Sequence, residues 1–374
     1  MRTIVAIGTA GLALAGCASE PAADAGSTAA ATGEGSTVYP LTYENCDVEA
    51  TVERAPTRAV SLNQSATEIL IRLGLAGRVV GTAYETDPVP ADIQAEYDDI
   101  PLLTDGLLKH ETLLEAQPDF VYSSFASFLT AENAGERAEL QELGIPTYLT
   151  EFDCTYHEAV EGGATFEMLL AEIEAIAEIF DVPAAGRELV AQQQAVIDDG
   201  LATAEAITGS PRLVWFYSTA ADASTPSVAG PGGLPQTVTE LLGAQNVFAD
   251  ASTKWPEVSW DEVAARNPDV IVLADLTRGY PGDTAQEKID FLKSDPLTST
   301  MEAVRNDRFI VVPGQYMDPS IHSVEAIPAV AEGLVELGFA QGGSRGTDGD
   351  AGPEASPSRR SRPMIESSEG GSAA

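Results

Sequence analysis

The chain has 374 residues, with 58 acidic against 20 basic side chains and a formal net charge of −38. No basic face is available to track phosphates, which excludes nucleic acid as a partner; the surplus acid reads as a heavily hydrated surface and not as the mark of an acidic substrate. The length is ample for two packed domains.

Residues 1–16 read as an export signal. Arg2 is the single cation ahead of the apolar run IVAIGTAGLALAG, which is too short and too rich in Gly and Ala to span a bilayer. Leu14-Ala15-Gly16-Cys17 matches the bacterial lipobox, in which the cysteine thiol is acylated. Lipidation of Cys17 is expected to hold the protein at the extracytoplasmic face of the cell membrane, through the lipid anchor alone. Residues 17–40, mostly Ala, Gly, Ser and Thr, are expected to be a flexible linker. Cys46 and Cys154 then remain as an even pair in an oxidising compartment, and a disulfide is expected between them. A metal site would need further soft ligands. Cys46 is expected just ahead of the first strand and Cys154 just after the strand TYLTE.

Strands and helices then alternate. In residues 41–182 the runs AVSLN, RVVGTA, DFVYSS and TYLTE read as strands, with helices over 65–74, 111–116, 132–143 and 165–180. Residues 183–207 read as one long helix. Leu189, Val190, Val196, Ile197, Leu201 and Ala204 follow a 3.6-residue period, Pro183 suits the first turn, and Asp181 favours the positive end of the dipole. Gly200 costs about 1 kcal/mol against Ala, which predicts a slight bend. In residues 208–340 the strands are RLVWFYS, VIVLAD and FIVVPG, with helices over 235–243, 260–266 and 285–293 and a last one near Ser323–Leu337. Residues 341–374 are Gly, Ser, Pro and charge, and are expected to be disordered. This alternation predicts an α/β protein of two lobes, each a mainly parallel sheet covered by helices, joined by the long interlobe helix.

The two halves resemble each other. HETLLEAQPDFVYSS (residues 110–124) aligns with WDEVAARNPDVIVLA (residues 260–274) on Pro-Asp, placing Glu111 and Asp261 seven residues before Pro118 and Pro268. Ala66-Thr67-Glu68-Ile69-Leu70, ending at Leu73-Gly74, aligns with Val238-Thr239-Glu240-Leu241-Leu242-Gly243. Two pairs in the same order point to two related α/β units.

Catalytic and metal motifs are missing. His110, His157 and His322 are far apart with no zinc spacing, so no metal ligation is expected. No G-x-G-x-x-G opens a helix, and Gly230-Pro231-Gly232-Gly233 lacks the Lys-Ser/Thr of a phosphate loop; no intrinsic cofactor is implied. Those glycines read as a turn into the helix at Pro235. The G-x-S-x-G of residues 342–346 lacks the strand and helix of a nucleophile elbow. An enzyme is not expected. Ligands of parallel α/β sheets bind beyond the carboxyl ends of the strands. There the chain places Asn63, Gln64, Tyr84, Ser124 and Phe125 in its first half, and Trp215, Tyr217, Trp255, Arg278, Tyr280 and Tyr316 in its second. Trp215 and Phe216 serve equally well as core. Trp255, in an evident loop between Lys254 and Pro256, is the best single ligand contact.

The lipobox, the Ala-rich leash and the segments RAVSLNQSATEILIRLGLAGRVVGTA, LLEAQPDFVYSSFA, LQELGIPTY, LGAQNVFAD, KWPEVSWDEVAARNPDVIVL and FIVVPG resemble the substrate-binding lipoproteins of ABC importers, in the branch for ferric siderophores, haem and cobalamin. The resemblance covers about Tyr43 to Gly338. It implies two α/β lobes held by a rigid helix, a monomer working with an ABC permease dimer and its ATPase, and an acid on each lobe, here Glu111 and Asp261, that docks on permease arginines. Tyr84 and Trp255 match aromatic positions that pack on the ligand in cobalamin-type members. An aromatic carried by those members stands here as Asp105, which shifts the expectation to a ferric siderophore, and an acidic protein best tolerates a neutral or cationic hydroxamate complex. Cobalamin, haem and a surface enzyme acting on a small ligand are the alternatives.

Overall fold

A computed structural model of the chain describes residues 36–154, 163–219 and 225–340. The expected signal peptide, Cys17, most of the linker, His157 and the tail from residue 341 lie outside the described residues. No helix among the described residues is long and apolar enough to cross a membrane.

The first lobe opens with a hairpin, β1 (Leu41–Asn45) and β2 (Val48–Val52). It continues through β3 (Ala59–Ser61), α1 (Gln64–Arg72), β4 (Val79–Ala83), α2 (Gln94–Asp98) and β5 (Leu102–Thr104). Then come α3 (His110–Glu115), β6 (Phe120–Ser123), α4 (Arg137–Glu142), β7 (Thr147–Leu149) and α5 (Phe166–Ile179). Its five-stranded sheet has the order β5-β4-β3-β6-β7, with every neighbouring pair parallel. The long helix α6 (Pro183–Ala204) leads to the second lobe.

The second lobe contains β8 (Arg212–Thr219), β9 (Pro226–Val228), α7 (Leu234–Leu241), β10 (Gln245–Asn246), α8 (Trp260–Arg266) and β11 (Val270–Asp275). It ends with α9 (Ala285–Ser294), α10 (Glu302–Arg305), β12 (Phe309–Pro313) and α11 (Ala326–Glu336). Its sheet runs β10-β8-β11-β12 in parallel, with β9 antiparallel on β8. The α/β class and the two parallel sheets agree with the sequence reading.

The internal repeat has a physical basis, because the same clasp is built twice. Asp119 accepts from the backbone N–H of Arg58 (2.8 Å) and Asp269 from that of Arg212 (2.9 Å), and each aspartate's own N–H returns to the same arginine's carbonyl. Both arginine side chains then reach the residue before the proline, Arg58 to Gln117 O and Arg212 to Asn267 O. Gln117 and Asn267 sit in the left-handed region at φ 50° and 42°. The second pair is as close. Thr67 and Thr239 are fully buried, each bonding back to the carbonyl four residues earlier, and each meets the residue three positions after its lobe's clasp arginine, Ser61 or Trp215. Gly74 and Gly243 end the two helices at φ 76° and 67°, where a side chain would be strained.

α6 lies between the lobes and touches α5 on one side and α11 on the other. Gly186 and Gly200 stand at those contacts. A Cβ on Gly186 would lie 2.5 Å from Ala177 Cβ, and one on Gly200 would lie 2.6 Å from Ile327 Cγ2 and 2.7 Å from Pro328 N. Gly200 therefore permits close packing, and the helix runs unbroken through it.

Several boundaries differ from the sequence reading. Cys46 is not ahead of a strand; with Asp47 it forms the two-residue turn of the β1–β2 hairpin, both at positive φ. The Cys-Asp pair lacks the Asn-Gly signature, so the hairpin was not legible. Cys46 stands beside Cys154, with Cα atoms 5.2 Å apart, a spacing that suits the expected disulfide. Residues 36–40, expected to be linker, dock on the end of α5. Ser36 and Thr37 donate to the Asp181 carboxylate, and Tyr39 Oη donates to Ile179 O. The helix expected over 132–143 is confined to Arg137–Glu142, because Asn133 bonds to Ser127 O and Lys109 holds Glu132 O in a turn. The short α2, β5, β9, β10 and α10 lack a long enough period to be read.

Gly200→Ala separates two opposed effects. Helix propensity alone would stabilise by about 1 kcal/mol. The contact with Pro328 backbone makes overpacking dominate, so we expect a loss of about 1–3 kcal/mol in urea unfolding. An unchanged or higher midpoint would show that α6 and α11 can separate freely.

Candidate ligand-binding cleft

A cavity of about 380 Å³ lies between the lobes, at the carboxyl ends of the central strands of both sheets. That is where the order of the strands reverses, to either side of β3 and of β8, leaving a crevice for a ligand. Two aromatic walls face it. In the first lobe Phe128 lies 4.9 Å from Tyr84 and 5.1 Å from Phe125, centroid to centroid. In the second, Tyr217 and Trp255 are 5.1 Å apart. Tyr84 adopts φ 52°, an uncommon conformation for a bulky residue, at the point where the chain leaves β4.

Polar side chains brace these walls from behind. Asn63 Oδ1 accepts from Ser124 N (2.9 Å), tying the end of β3 to the end of β6. Gln64 Oε1 accepts from the N–H groups of Thr86 and Asp87 (both 3.0 Å), and its amide donates to Glu68. Several contacts cross between the lobes among the described residues. Lys254 Nζ meets Asp153 Oδ1 and Phe152 O, both at 3.0 Å and deeply buried. Thr277 Oγ1 donates to Thr86 O, Ser65 Oγ to Pro319 O, and His322 Nε2 lies 2.5 Å from Glu68 Oε2.

Of the residues expected in the site, Asn63, Gln64, Tyr84, Phe125, Tyr217, Trp255 and Arg278 line the cavity. The other four do not. Trp215 is fully buried beneath it, donating Nε1–H to Thr239 Oγ1 (2.8 Å), and belongs to the core. Ser124 is buried behind the wall, fixed by Asn63. Tyr280 is 67% exposed on the loop after β11, outside the cavity. Tyr316 turns into a separate groove beside α6 and α11. Asp105 is exposed and also off the cavity. Sequence reasoning missed Asp153, Lys254 and Asp318, whose partners are distant in the chain. The nearest signals were their neighbours Cys154, Trp255 and Tyr316.

Glu111 and Asp261 are exposed in the first turns of α3 and α8, away from the cleft. The cap of α8 is Ser259, whose hydroxyl accepts from Glu262 N, so Asp261 is not needed for that role. His110 Nδ1 is 3.0 Å from Ala134 O. Among the described residues no group of three or more His, Cys, Asp or Glu could hold a metal ion.

Burial dominates the electrostatics here. Asp318 accepts from Tyr217 Oη (2.8 Å) and is pushed up to about 7 by desolvation. Asp87 is raised for the same reason. Arg278 is held by Asp283 in a two-pronged contact (2.6 and 3.2 Å) and lies 5.7 Å from the Tyr217 ring centre. In the first lobe's core, Glu172 accepts from Tyr122 Oη and Thr150 Oγ1, and burial lifts it to about 7.

A family model described as periplasmic binding protein matches residues 60–316. An uncharacterised ABC transporter substrate-binding lipoprotein of Bacillus subtilis is 26% identical over 301 residues, covering 80% of this chain and 85% of that protein. A vitamin B12-binding protein of Vibrio campbellii is 25% identical over 237 residues, covering 62% of this chain and 76% of that one. The solved structure of an ABC-type Fe3+-hydroxamate transport system from Saccharomonospora viridis shares the fold with a TM-score of 0.66 and 24% identity, covering 79% of this chain and 99% of its own.

Glu172 gives a pH dependence of defined sign. Its folded pKa of about 7 exceeds the ordinary glutamate value of 4.5, so the folded state keeps a proton that the unfolded state releases. Its contribution is fully present below about pH 4.5 and is lost as pH rises to about 7. Melting temperature should fall between pH 5 and 8, and Glu172→Gln should flatten that fall, with a gain at pH 8 of at most about 3 kcal/mol. Parallel profiles for wild type and variant would refute the assignment.

Proposed function

The chain belongs to the periplasmic binding protein family, and from that premise we propose that it is the substrate-binding lipoprotein of an ABC importer, capturing a ferric siderophore between its lobes and delivering it to the permease. The observation that carries the reading is the pair of aromatic walls facing one cavity between two lobes braced by a single helix. Aromatic side chains supply large contact area at low entropy cost, while a few polar groups fix orientation. The fold neighbour described as an Fe3+-hydroxamate transport system supports an iron chelate as the ligand. In the exported protein Cys17 carries the lipid, Cys46 and Cys154 are oxidised, and a monomer meets the membrane through the anchor. The domain reading that goes with it is a first lobe over 41–182, the interlobe helix over 183–207 and a second lobe over 208–340.

A second reading, cobalamin as ligand, is favoured by the relatives named vitamin B12-binding protein. Purified protein mixed with ferric siderophores or cobalamins and freed of excess ligand separates the two by its visible absorbance. A retained cobalamin spectrum without a retained ferric charge-transfer band would overturn the siderophore reading. With the retained ligand, Trp255→Ala should weaken binding by about 1–3 kcal/mol in calorimetric titration, the range for an aromatic anchor. Unchanged affinity would remove Trp255 from the site.

Glu111 and Asp261 suit docking on a two-fold permease, since they occupy equivalent exposed places in the two lobes. Loss of a helix cap would cost about 0.5–2 kcal/mol of stability, whereas reversal of a docking charge leaves the fold intact. Glu111→Arg combined with Asp261→Arg should keep ligand affinity and near-normal melting while abolishing uptake. Normal uptake in cells lacking another binding protein would defeat the docking role.

A further inference from the structure

The charges around the cleft do not cancel. Lys254 is matched by Asp153 at 3.0 Å, and Arg278 by the buried Asp283 at 2.6 Å. Beyond these two pairs stand Asp318, in the cavity wall, and Asp87, beside Thr86. Neither makes a salt bridge among the described residues. Asp318 accepts a hydrogen bond from Tyr217 Oη (2.8 Å), and the Tyr217 ring packs on Trp255. A carboxyl bonded to one aromatic ring that packs on a second is an arrangement suited to an organic cation, because ring quadrupole and carboxylate attract the same charge. Two cations stand against four carboxyl groups, so the two remaining carboxyls are balanced either by protons or by a cationic ligand.

Resting on the ferric-chelate reading above, we propose that the ligand carries a pendant cationic group, an ammonium or a guanidinium, which seats against the Asp318 carboxyl and the Trp255 ring, beside the Tyr217 ring that Arg278 already covers. The first-lobe wall of Tyr84, Phe125 and Phe128 is then left for the apolar flank of the chelate.

The arrangement also makes binding release a proton. Asp318 faces Tyr217 on β8, Asp87 after β4, Arg278 after β11 and Asp153 after β7. Burial is the largest influence on it, lifting the carboxyl to about 7, and Asp87 adds to the rise while Arg278 opposes it. A cation in contact favours the ionised form. Affinity for a cationic ligand should therefore rise with pH through 7, by about tenfold between pH 6 and 8.

The test uses purified protein and two probes: a ferric trihydroxamate ending in a free primary ammonium, and the same complex after N-acetylation. The iron centre and hydroxamate groups are identical, so only the pendant charge differs. We expect the ammonium form to bind about tenfold to hundredfold more tightly at pH 8, the gap to narrow at pH 6, and Asp318→Asn to remove most of it. Equal affinity for the two probes, or tighter binding of the acetylated one, overturns the cation site and leaves the ferric-chelate reading standing. Binding of neither, with retention of haem or cobalamin or of nothing, overturns both. The comparison within wild type and its pH profile stand even if the variant does not fold.

Discussion

The close approach of one helix to both lobes is the constraint on which the cleft depends. α6 meets α5 at Gly186 and α11 at Gly200, where there is no room for a methyl group. Packing at such distances is bistable at best, since interiors resist small displacements. The lobes cannot rock on α6 without opening those contacts. Lys254, Thr277, Ser65 and His322 then close the opposite side. The cavity thus lies between lobes joined both through α6 and through these bonds.

Much of this was legible from residues. Periodicity gave α6, with Leu189 and Ile197 buried on its stripe, and the apolar runs gave the parallel strands. The repeat was visible as Pro-Asp spacing, because in each lobe the aspartate bonds to an arginine N–H at the entry to the central strand. What escaped was whatever depends on distant partners. Trp215 was placed on the right strand but faces the core, and a run buried on both faces offers no alternation to reveal that. The contact between Lys254 and Asp153 joins residues about a hundred positions apart in different lobes. The hairpin turn at Cys46-Asp47 carries none of the residues that usually mark one.

The same limits explain the loops at the cleft mouth. Tyr280 and Tyr316 follow β11 and β12 in sequence and do not line the cavity, whereas Tyr217, still within the end of β8, does. A strand end fixes where a loop begins and leaves its later course open. For the loop after β11 that course is set by Asp283, which accepts from Arg278 and Tyr280 N and whose carbonyl receives Leu276 N–H.

The bracing of the walls by Asn63 and Gln64 divides labour within the site. Their amides tie strand ends and loop backbone together, while Tyr84, Phe125, Phe128 and Trp255 present aromatic surface to the cavity. Scaffold and surface therefore rest on different residues in adjoining positions. Drift among the aromatic positions can alter which guest is accepted while the framework beneath keeps its shape. That separation makes one architecture a reusable chassis, open to retargeting as a sensor by changing the lining alone.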